Sequence, residues 1–392
     1  MATTINEEIL FSSPSPTALS RVNLANAPVW KTLSVRDPEF RKYLDGGFSK
    51  TQRALPIRSL NVGTTTETVT FSIVKVEDLN GPSFSRTVWL LARPQSFILS
   101  AGPMLATLSF VRYSGLNWNA GVALATFFGV LFFHIALNLF NDYGDHVKGR
   151  DRMRTRGGSR VIQNGWITAL TVRRLAWFSL MASLLFGLPA LLSTTLAYKL
   201  PLVLITAFAG LAGCEFAFQK LGLKYRGWAE ILAFALTGPM LTSAFAWALT
   251  GQVGIEHFWL GCFFGSQSLL YFHAVNFENI MADSQAGVRT WATRAGFDSS
   301  QNFFYFTVGL SSLGLLAFWL SSSVLMLPAA LLVHLAGSWI LVRRVSQLAS
   351  PLASKLTGLR RLVLWCTWAT SLAILISLEI SRLILLLRQT TW

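Results

Sequence analysis

The stretch "NLFNDYGDHVKGRD" (138–151) follows directly on the apolar run "GVALATFFGVLFFHIAL" (121–137). Carboxylates packed at the end of an oily helix repel one another and lose hydration, so a charged partner is needed. Asn138, Asp142 and Asp145 are spaced by four and three, which puts them on one face of a helix that continues the run. Asn141 is adjacent, and Asp151 lies past Gly149, where the chain can curl back to the same place. His146 falls off the acidic face and is expected to be solvent-exposed.

Working outward, the same oily character extends over most of the chain. Of 392 residues, 52% are hydrophobic and 13% charged, whereas a soluble domain is about one quarter charged. Apolar runs of roughly 18–25 residues suffice to cross a bilayer core of about 30 Å. Such runs fall at 95–111, 119–140, 171–193, 197–219, 228–249, 256–278, 300–322, 325–342 and 362–387. The expected fold is therefore all-α and membrane-integral, with nine spans in residues 88–392 and an N-terminal extension over 1–87.

The net charge of +15 does not point to nucleic acid, because of where it lies. Lys and Arg crowd the connections after the second, fourth, sixth and eighth spans, whereas the odd-numbered connections offer only Arg112 and Lys199 nearby. Cationic loops stay cytoplasmic, so the N-terminus and the even-numbered loops are expected there. Cys214, Cys262 and Cys366 lack metal-ligand spacing and read as packing residues. No basic start followed by a short apolar core marks a cleavable signal peptide in residues 1–30.

The extension reads as a separate piece. "VRDPEFRKYLDGG" (35–47) predicts a short helix ended by Gly46-Gly47, and "ETVTFSIVKVEDL" (67–79) predicts a strand closed by the turn "NGP" (80–82). Nothing in it carries recognisable chemistry, so a role in stability or association is expected.

A second polar cluster lies in "HAVNFENIMADSQAGVRTWATRAG" (273–296). Asn276, Asn279 and Asp283 are spaced by three and four, with His273 one turn earlier and Glu278 pointing elsewhere. By span order both clusters end helices on the same membrane side. Ionisable groups at a membrane boundary are functional by default. The bland alternative for the first cluster, a solvated helix end paired with Lys148 and Arg150, loses ground to this match.

Cations accompany the clusters. Arg154, Arg156 and Arg160 surround Gly157-Gly158 in "RDRMRTRGGSRVIQNG" (150–165), and Lys220, Lys224 and Arg226 follow the fourth span. Paired carboxylate clusters take a hard divalent cation, and Mg²⁺ commonly bridges carboxylates to phosphates. With a ring of Lys and Arg and an apolar bundle beneath, the implied substrate is an isoprenyl diphosphate. Its ionisation leaves an allylic cation, which a water-excluding, aromatic-lined cavity protects until an electron-rich acceptor attacks.

These residues resemble the UbiA-type intramembrane prenyltransferases, whose hallmark is two Asp-rich motifs on a nine-helix bundle. The likeness is greatest to the menaquinone branch, the 1,4-dihydroxy-2-naphthoate polyprenyltransferases. "NDYGDHVKGRD" (141–151), "GGSRVIQNGWIT" (157–168), "YRGWAE" (225–230) and "DSQAGVRTWATRAG" (283–296) carry it, over roughly residues 88–390. The resemblance implies that Asn138, Asp142, Asp145 and Asp151 hold Mg²⁺–diphosphate, with Asn276, Asn279 and Asp283 acting from the second motif. Asp142, Asp145 and Asp283 are the expected catalytic carboxylates, and Lys148, Arg154, Arg160, Lys224 and Arg226 the diphosphate cations.

Three departures bear on the acceptor side and the second metal. Asn279 stands where the family has Asp, Phe216 where this branch has Tyr, and "FQK" (218–220) replaces a Gly-Gly-Pro. Glu278 compensates for Asn279 only if the helix unwinds locally. His273 reads either as an acceptor-side partner or as a packing histidine, and Glu230 as an orienter of Arg226 or a nearby amide.

The reading is thus an Mg²⁺-dependent enzyme of a bacterial-type inner membrane. It is expected to move a polyprenyl chain from its diphosphate to an aromatic acceptor, 1,4-dihydroxy-2-naphthoate, in menaquinone-type quinone synthesis. Its partners are polyprenyl diphosphate, the acceptor and membrane lipid, with no nucleic acid. Alternatives are another aromatic acceptor, a UbiA-type terpene cyclase, or a non-catalytic lipid-binding membrane protein.

Overall fold

The computed structural model describes residues 29–153, 158–194, 196–218, 227–285, 287–352 and 354–390. They fall into two compact units, one within Met1–Leu90 and Asp145–Val172, the other within Leu91–Gly144 and Arg173–Trp392.

The first unit is built on a three-stranded antiparallel sheet. Strand β1 (Val29–Ser34), helix α1 (Phe40–Asp45), strand β2 (Gln52–Leu60) and strand β3 (Thr68–Lys75) follow in order, with β3 central between β1 and β2. The short helix and β3 match the expectation from sequence. Gly46 ends α1 at φ +73°, the left-handed geometry a glycine cap supplies. Strands β1 and β2 carry no clean alternation, and Pro56 interrupts β2. The register shift between Pro56 and Arg58 absorbs that proline on an edge strand. Val69 and Phe71 of β3 pack with Leu33, Phe40 and Leu44 in a small core.

Helix α2 (Phe84–Ala92) leads to the second unit, which is helical among the described residues. Its elements are α3 (Ile98–Tyr113), α4 (Ala120–Val147, whose last turn enters the first unit), α6 (Ala169–Ser193), α7 (Leu196–Phe218), α8 (Ala229–Thr237) and α9 (Pro239–Thr250). Then follow α10 (Ile255–Glu278), α11 (Ile280–Gln285), α12 (Trp291–Ala295), α13 (Phe297–Ser322), α14 (Leu327–Ser346) and α15 (Leu359–Thr390), while α5 (Arg150–Met153) belongs to the first unit. Six helical stretches among the described residues are long and apolar enough to cross a membrane: Ala120–Val147, Ala169–Ser193, Ala229–Thr250, Phe297–Ser322, Leu327–Ser346 and Ser354–Thr390.

Helix α10 lies at the centre of this unit and packs on α8, α9, α13 and α15. Nearly every residue from Leu260 to Leu270 is buried, as expected of a helix apolar on all sides. Small residues let its neighbours approach: Gly261 and Gly265 lie against the break at Gly238-Pro239, and Gly314 of α13 sits against the backbone of Phe263. The break itself arises because Pro239 has no N–H to continue α8, and it starts α9 at a first helical turn.

Candidate active site

Helix α4 carries the first motif as expected. Asn138, Asp142 and Asp145 occupy its C-terminal half at helical spacing, and the two aspartates are 3% and 4% exposed. Asn138 donates from Nδ2 to the Ala92 carbonyl at 2.9 Å. Asp142 forms an ion pair with Arg93, which adopts a left-handed backbone (φ +53°) immediately before Pro94. Arg93 therefore turns at the point where α2 ends, and its side chain meets the motif within the same unit.

The rest of the motif belongs to the first unit. Asp145 pairs with Arg150 at 3.6 Å. Asp151, 5% exposed, accepts at Oδ2 from Gln163 Nε2 at 2.8 Å, and its backbone carbonyl accepts from Arg160 Nη1 at 2.8 Å. Burial lowers the Arg160 guanidinium from its ordinary value, against the pull of Asp151. His146 corrects the sequence reading. It is not solvent-exposed but 2% exposed, and its Nε2 donates to the Leu44 carbonyl at 2.9 Å. Its position off the acidic face turns it toward the sheet, a partner invisible from the helix alone. Lys148 is half-buried.

The second motif sits where α10 ends. Asn276 donates from Nδ2 to Glu230 Oε1 at 2.6 Å. Asn279 caps α10 and donates from Nδ2 to the Val275 carbonyl at 2.8 Å. The chain restarts as α11, which carries Asp283 fully buried. Glu278 faces away, as expected. Its carboxylate accepts the Arg360 backbone N–H at 2.7 Å at the start of α15, so it does not stand in for an aspartate at 279.

His273 is fully buried, with Nε2 donating to the Ser300 carbonyl at 2.9 Å and its ring against Phe277 and Phe303. That geometry supports the packing reading of the two. Glu230 is 2% exposed at the start of α8, and among the described residues its Oε2 has no hydrogen-bond partner. Among the same residues the partner of its Oε1 is Asn276. Arg154, Lys224 and Arg226 lie outside the described residues, as does the side chain of Phe216.

One residue escaped the sequence reading. His134, one turn before Asn138 on the same helix face, is held by Ser96 Oγ at 3.0 Å and Ser100 Oγ at 2.6 Å. The signal was its spacing of four from Asn138.

These groups fit a magnesium-bound diphosphate by their chemistry. In each unit the donors are hard oxygen: buried carboxylates at 145 and 151 in the first, and buried carboxylates at 142 and 283 with amides at 138, 276 and 279 in the second. Among the described residues no three His, Cys, Asp or Glu groups converge as a metal cage. Hard oxygen donors of this kind are what Mg²⁺ takes, with one or two carboxylates and a shell completed by water and phosphate oxygens.

Comparison with known proteins agrees with this chemistry. Residues 100–359 match the UbiA prenyltransferase family. The 1,4-dihydroxy-2-naphthoate octaprenyltransferase of Haemophilus influenzae is 23% identical over 243 residues, 60% of this chain and 78% of that protein. A UbiA homologue from Archaeoglobus fulgidus, solved with GPP and Mg²⁺, superposes with a TM-score of 0.54 at 14% identity, covering 75% of this chain and 99% of that one. A digeranylgeranylglyceryl phosphate synthase structure gives a TM-score of 0.50 at 17% identity, covering 75% and 98%. Those two likenesses bear on the fold alone. The family match, spanning both motifs and the helices that carry them, decides the class: the chain belongs to the UbiA prenyltransferase family and is an integral membrane prenyltransferase.

Proposed function

We propose that the protein transfers a polyprenyl group from its diphosphate to an aromatic acceptor, 1,4-dihydroxy-2-naphthoate, with magnesium as cofactor. The observation that carries this reading is a set of four buried aspartates, two in the last turns of apolar α4 and two in the short helices that follow α4 and α10, three of them meeting a cation or amide donor. Buried charge of this kind is retained for work rather than for stability.

Magnesium, when bound, neutralises the diphosphate and makes it a better leaving group. Asp142, Asp145, Asp151 and Asp283, with Asn138, Asn276 and Asn279, hold that end of the substrate. Lys148, Arg154, Arg160, Lys224 and Arg226 draw in the phosphate oxygens. The C–O bond to diphosphate then breaks, the allylic carbon bonds to a ring carbon of the acceptor, and the acceptor's carboxylate leaves as carbon dioxide. The apolar helices exclude water, which otherwise captures the allylic cation. Phe216 is the remaining acceptor-side candidate, since His273 is taken up in packing against Ser300, Phe277 and Phe303.

The nine-span topology is part of the same reading. It is supported by a helix over each of the nine apolar runs and by the Lys/Arg asymmetry of the connections. On this reading the N-terminus and both motifs face the cytoplasm, which the cationic loops support, and the membrane is a bacterial-type inner membrane. Residues 1–87 are the extension and 88–392 the catalytic part.

The test is product analysis. Purified protein is given prenyl diphosphates of several lengths with a panel of aromatic acceptors, with and without Mg²⁺. Mass spectrometry is expected to find a prenylated, decarboxylated naphthoquinol only with metal and both substrates. Pyrophosphate release and a cyclic hydrocarbon without acceptor would replace this reading with a cyclase; no release under any condition would leave a lipid-binding protein.

A further inference from the structure

The unit that holds the N-terminal strands also takes in residues 145–172, the segment after the first acidic motif. Among its described residues, the end of α4, α5 and the start of α6 are helical, and residues 158–168 are turns and bends. Yet Val161, Ile162 and Ile167 in those turns are buried, as are Ala169 and Val172 at the start of α6. Turns cannot bury three apolar side chains on themselves, so they need a surface. Within the unit, the sheet and α1 supply it. Ile162, Ile167 and Ala169 line a small cavity with Leu44, Ala54 and Leu55.

Two glycines show how closely the pieces meet. A Cβ on Gly46 would stand 2.9 Å from Cβ of Thr168, and one on Gly165 would stand 2.8 Å from Cδ2 of Leu55. Both glycines have φ of +73°, so a side chain at either is opposed by backbone as well as by contact. The third tie is polar: His146 Nε2 donates to the Leu44 carbonyl at 2.9 Å.

These ties bracket the chemistry in the segment. His146 precedes Asp151 and Arg160, and residues 161–168 follow them. Asp151 accepts from Arg160 at its backbone carbonyl and from Gln163 of the docked stretch at its carboxylate. Arg160 itself has φ +61°, which a non-glycine residue rarely adopts unless its surroundings impose it.

We propose that the N-terminal sheet is a fixed scaffold that positions the segment carrying Asp151 and Arg160. On this account residues 29–81 serve prenyl diphosphate binding and are not an independent module. The proposal rests on the diphosphate reading above. Leu44, Gly46 and His146 are positioning residues, because they touch the segment and not the substrate.

Full-length variants test it by amide hydrogen exchange and by kinetics with geranyl diphosphate and 1,4-dihydroxy-2-naphthoate. His146→Phe and Gly46→Val are expected to speed exchange across residues 158–168 while β3 stays protected. The KM for geranyl diphosphate is expected to rise about threefold to tenfold, the size of one lost hydrogen bond, with the acceptor KM unchanged. His146→Gln keeps a donor near the Nε2 position and should restore the KM to within about twofold. Trp30→Ala, at a residue 66% exposed on β1, should move neither readout.

Unchanged exchange in 158–168 for both disrupting variants would overturn the proposal, and so would faster exchange with an unchanged geranyl diphosphate KM. If Gly46→Val also unfolds β3, His146→Phe decides, since it alters no side chain of the sheet. A protein inert toward every prenyl diphosphate would overturn the diphosphate reading and the positioning with it. The exchange arm, which needs no turnover, would still report whether the segment docks.

Discussion

The two polar motifs solve the same problem by different means. In the first, each carboxylate meets a positive or donor group: Asp142 with Arg93, Asp145 with Arg150, Asp151 with Gln163. In the second, two of the three expected oxygen ligands are neutral amides whose NH₂ groups are already committed, Asn276 to Glu230 and Asn279 to the Val275 carbonyl. An amide with its NH₂ fixed has its carbonyl oxygen aimed by default. The first motif therefore stores charge held in check by cations, and the second stores orientation. The carboxyl group nearest the Asn276 amide is its hydrogen-bond acceptor, Glu230.

That contrast predicts where substitutions hurt most. Asp142→Ala and Asp145→Ala each remove charge that the amide-rich second motif cannot replace. Prenyl transfer in membranes is expected to fall by about 10²–10³, the scale for losing one electrostatic stabiliser. Chelating Mg²⁺ with EDTA should cost at least as much, and added Mg²⁺ should restore it. Turnover within tenfold of the unaltered enzyme in both variants would sink the claim that the first motif is the charged half.

Glu230 sharpens the comparison at the next level. Glu230→Ala leaves the Asn276 amide without its acceptor, and a buried unpaired donor costs about 1–3 kcal/mol. A rate loss of roughly tenfold is expected, equivalent to about 1.4 kcal/mol. Glu230→Gln retains a carbonyl oxygen for Asn276 and should stay within about threefold. Equal losses in the two variants would mean that the charge of Glu230 matters, not its hold on Asn276.

His273 gives a smaller effect of a different kind. With Nε2 on Ser300 and its ring between phenylalanines, His273→Leu is expected to lower stability by about 1–3 kcal/mol through the orphaned carbonyl. The acceptor KM should not change. A raised acceptor KM at unaltered stability would return His273 to the acceptor side.

Much of this was legible in the chain. Spacings of three and four placed Asn138, Asp142 and Asp145 on one helix face, and the apolar run before them announced the helix. Asn276, Asn279 and Asp283 were found the same way, although the break at Asn279 was not. What stayed hidden was long-range. Arg93 pairs with Asp142 from 49 residues away and Glu230 with Asn276 from 46. No local periodicity encodes such pairs. His146 was misplaced for the same cause, since its partner is a backbone carbonyl 102 residues earlier. Strand β2 escaped because Pro56 argues against a strand unless it lies at an edge with a bulge, and both conditions come from the sheet.

The smallest expected effect is the most pointed test of the contrast. Asn279→Asp adds a charge at the position where the resemblance implies an aspartate, so a second motif limited by missing charge should gain. Here, however, the Asn279 NH₂ donates to the Val275 carbonyl as α10 ends. A carboxylate there sets an acceptor against an acceptor, so the side chain must rotate off its cap. We expect a stability loss of about 1 kcal/mol for the forfeited hydrogen bond, read as a lower unfolding midpoint. The rotated carboxylate adds a hard oxygen ligand, so half-saturating Mg²⁺ should fall while the maximal rate moves by less than about threefold. A large rise in maximal rate would instead show that the second motif works by charge, as the first does, and would dissolve the distinction between them.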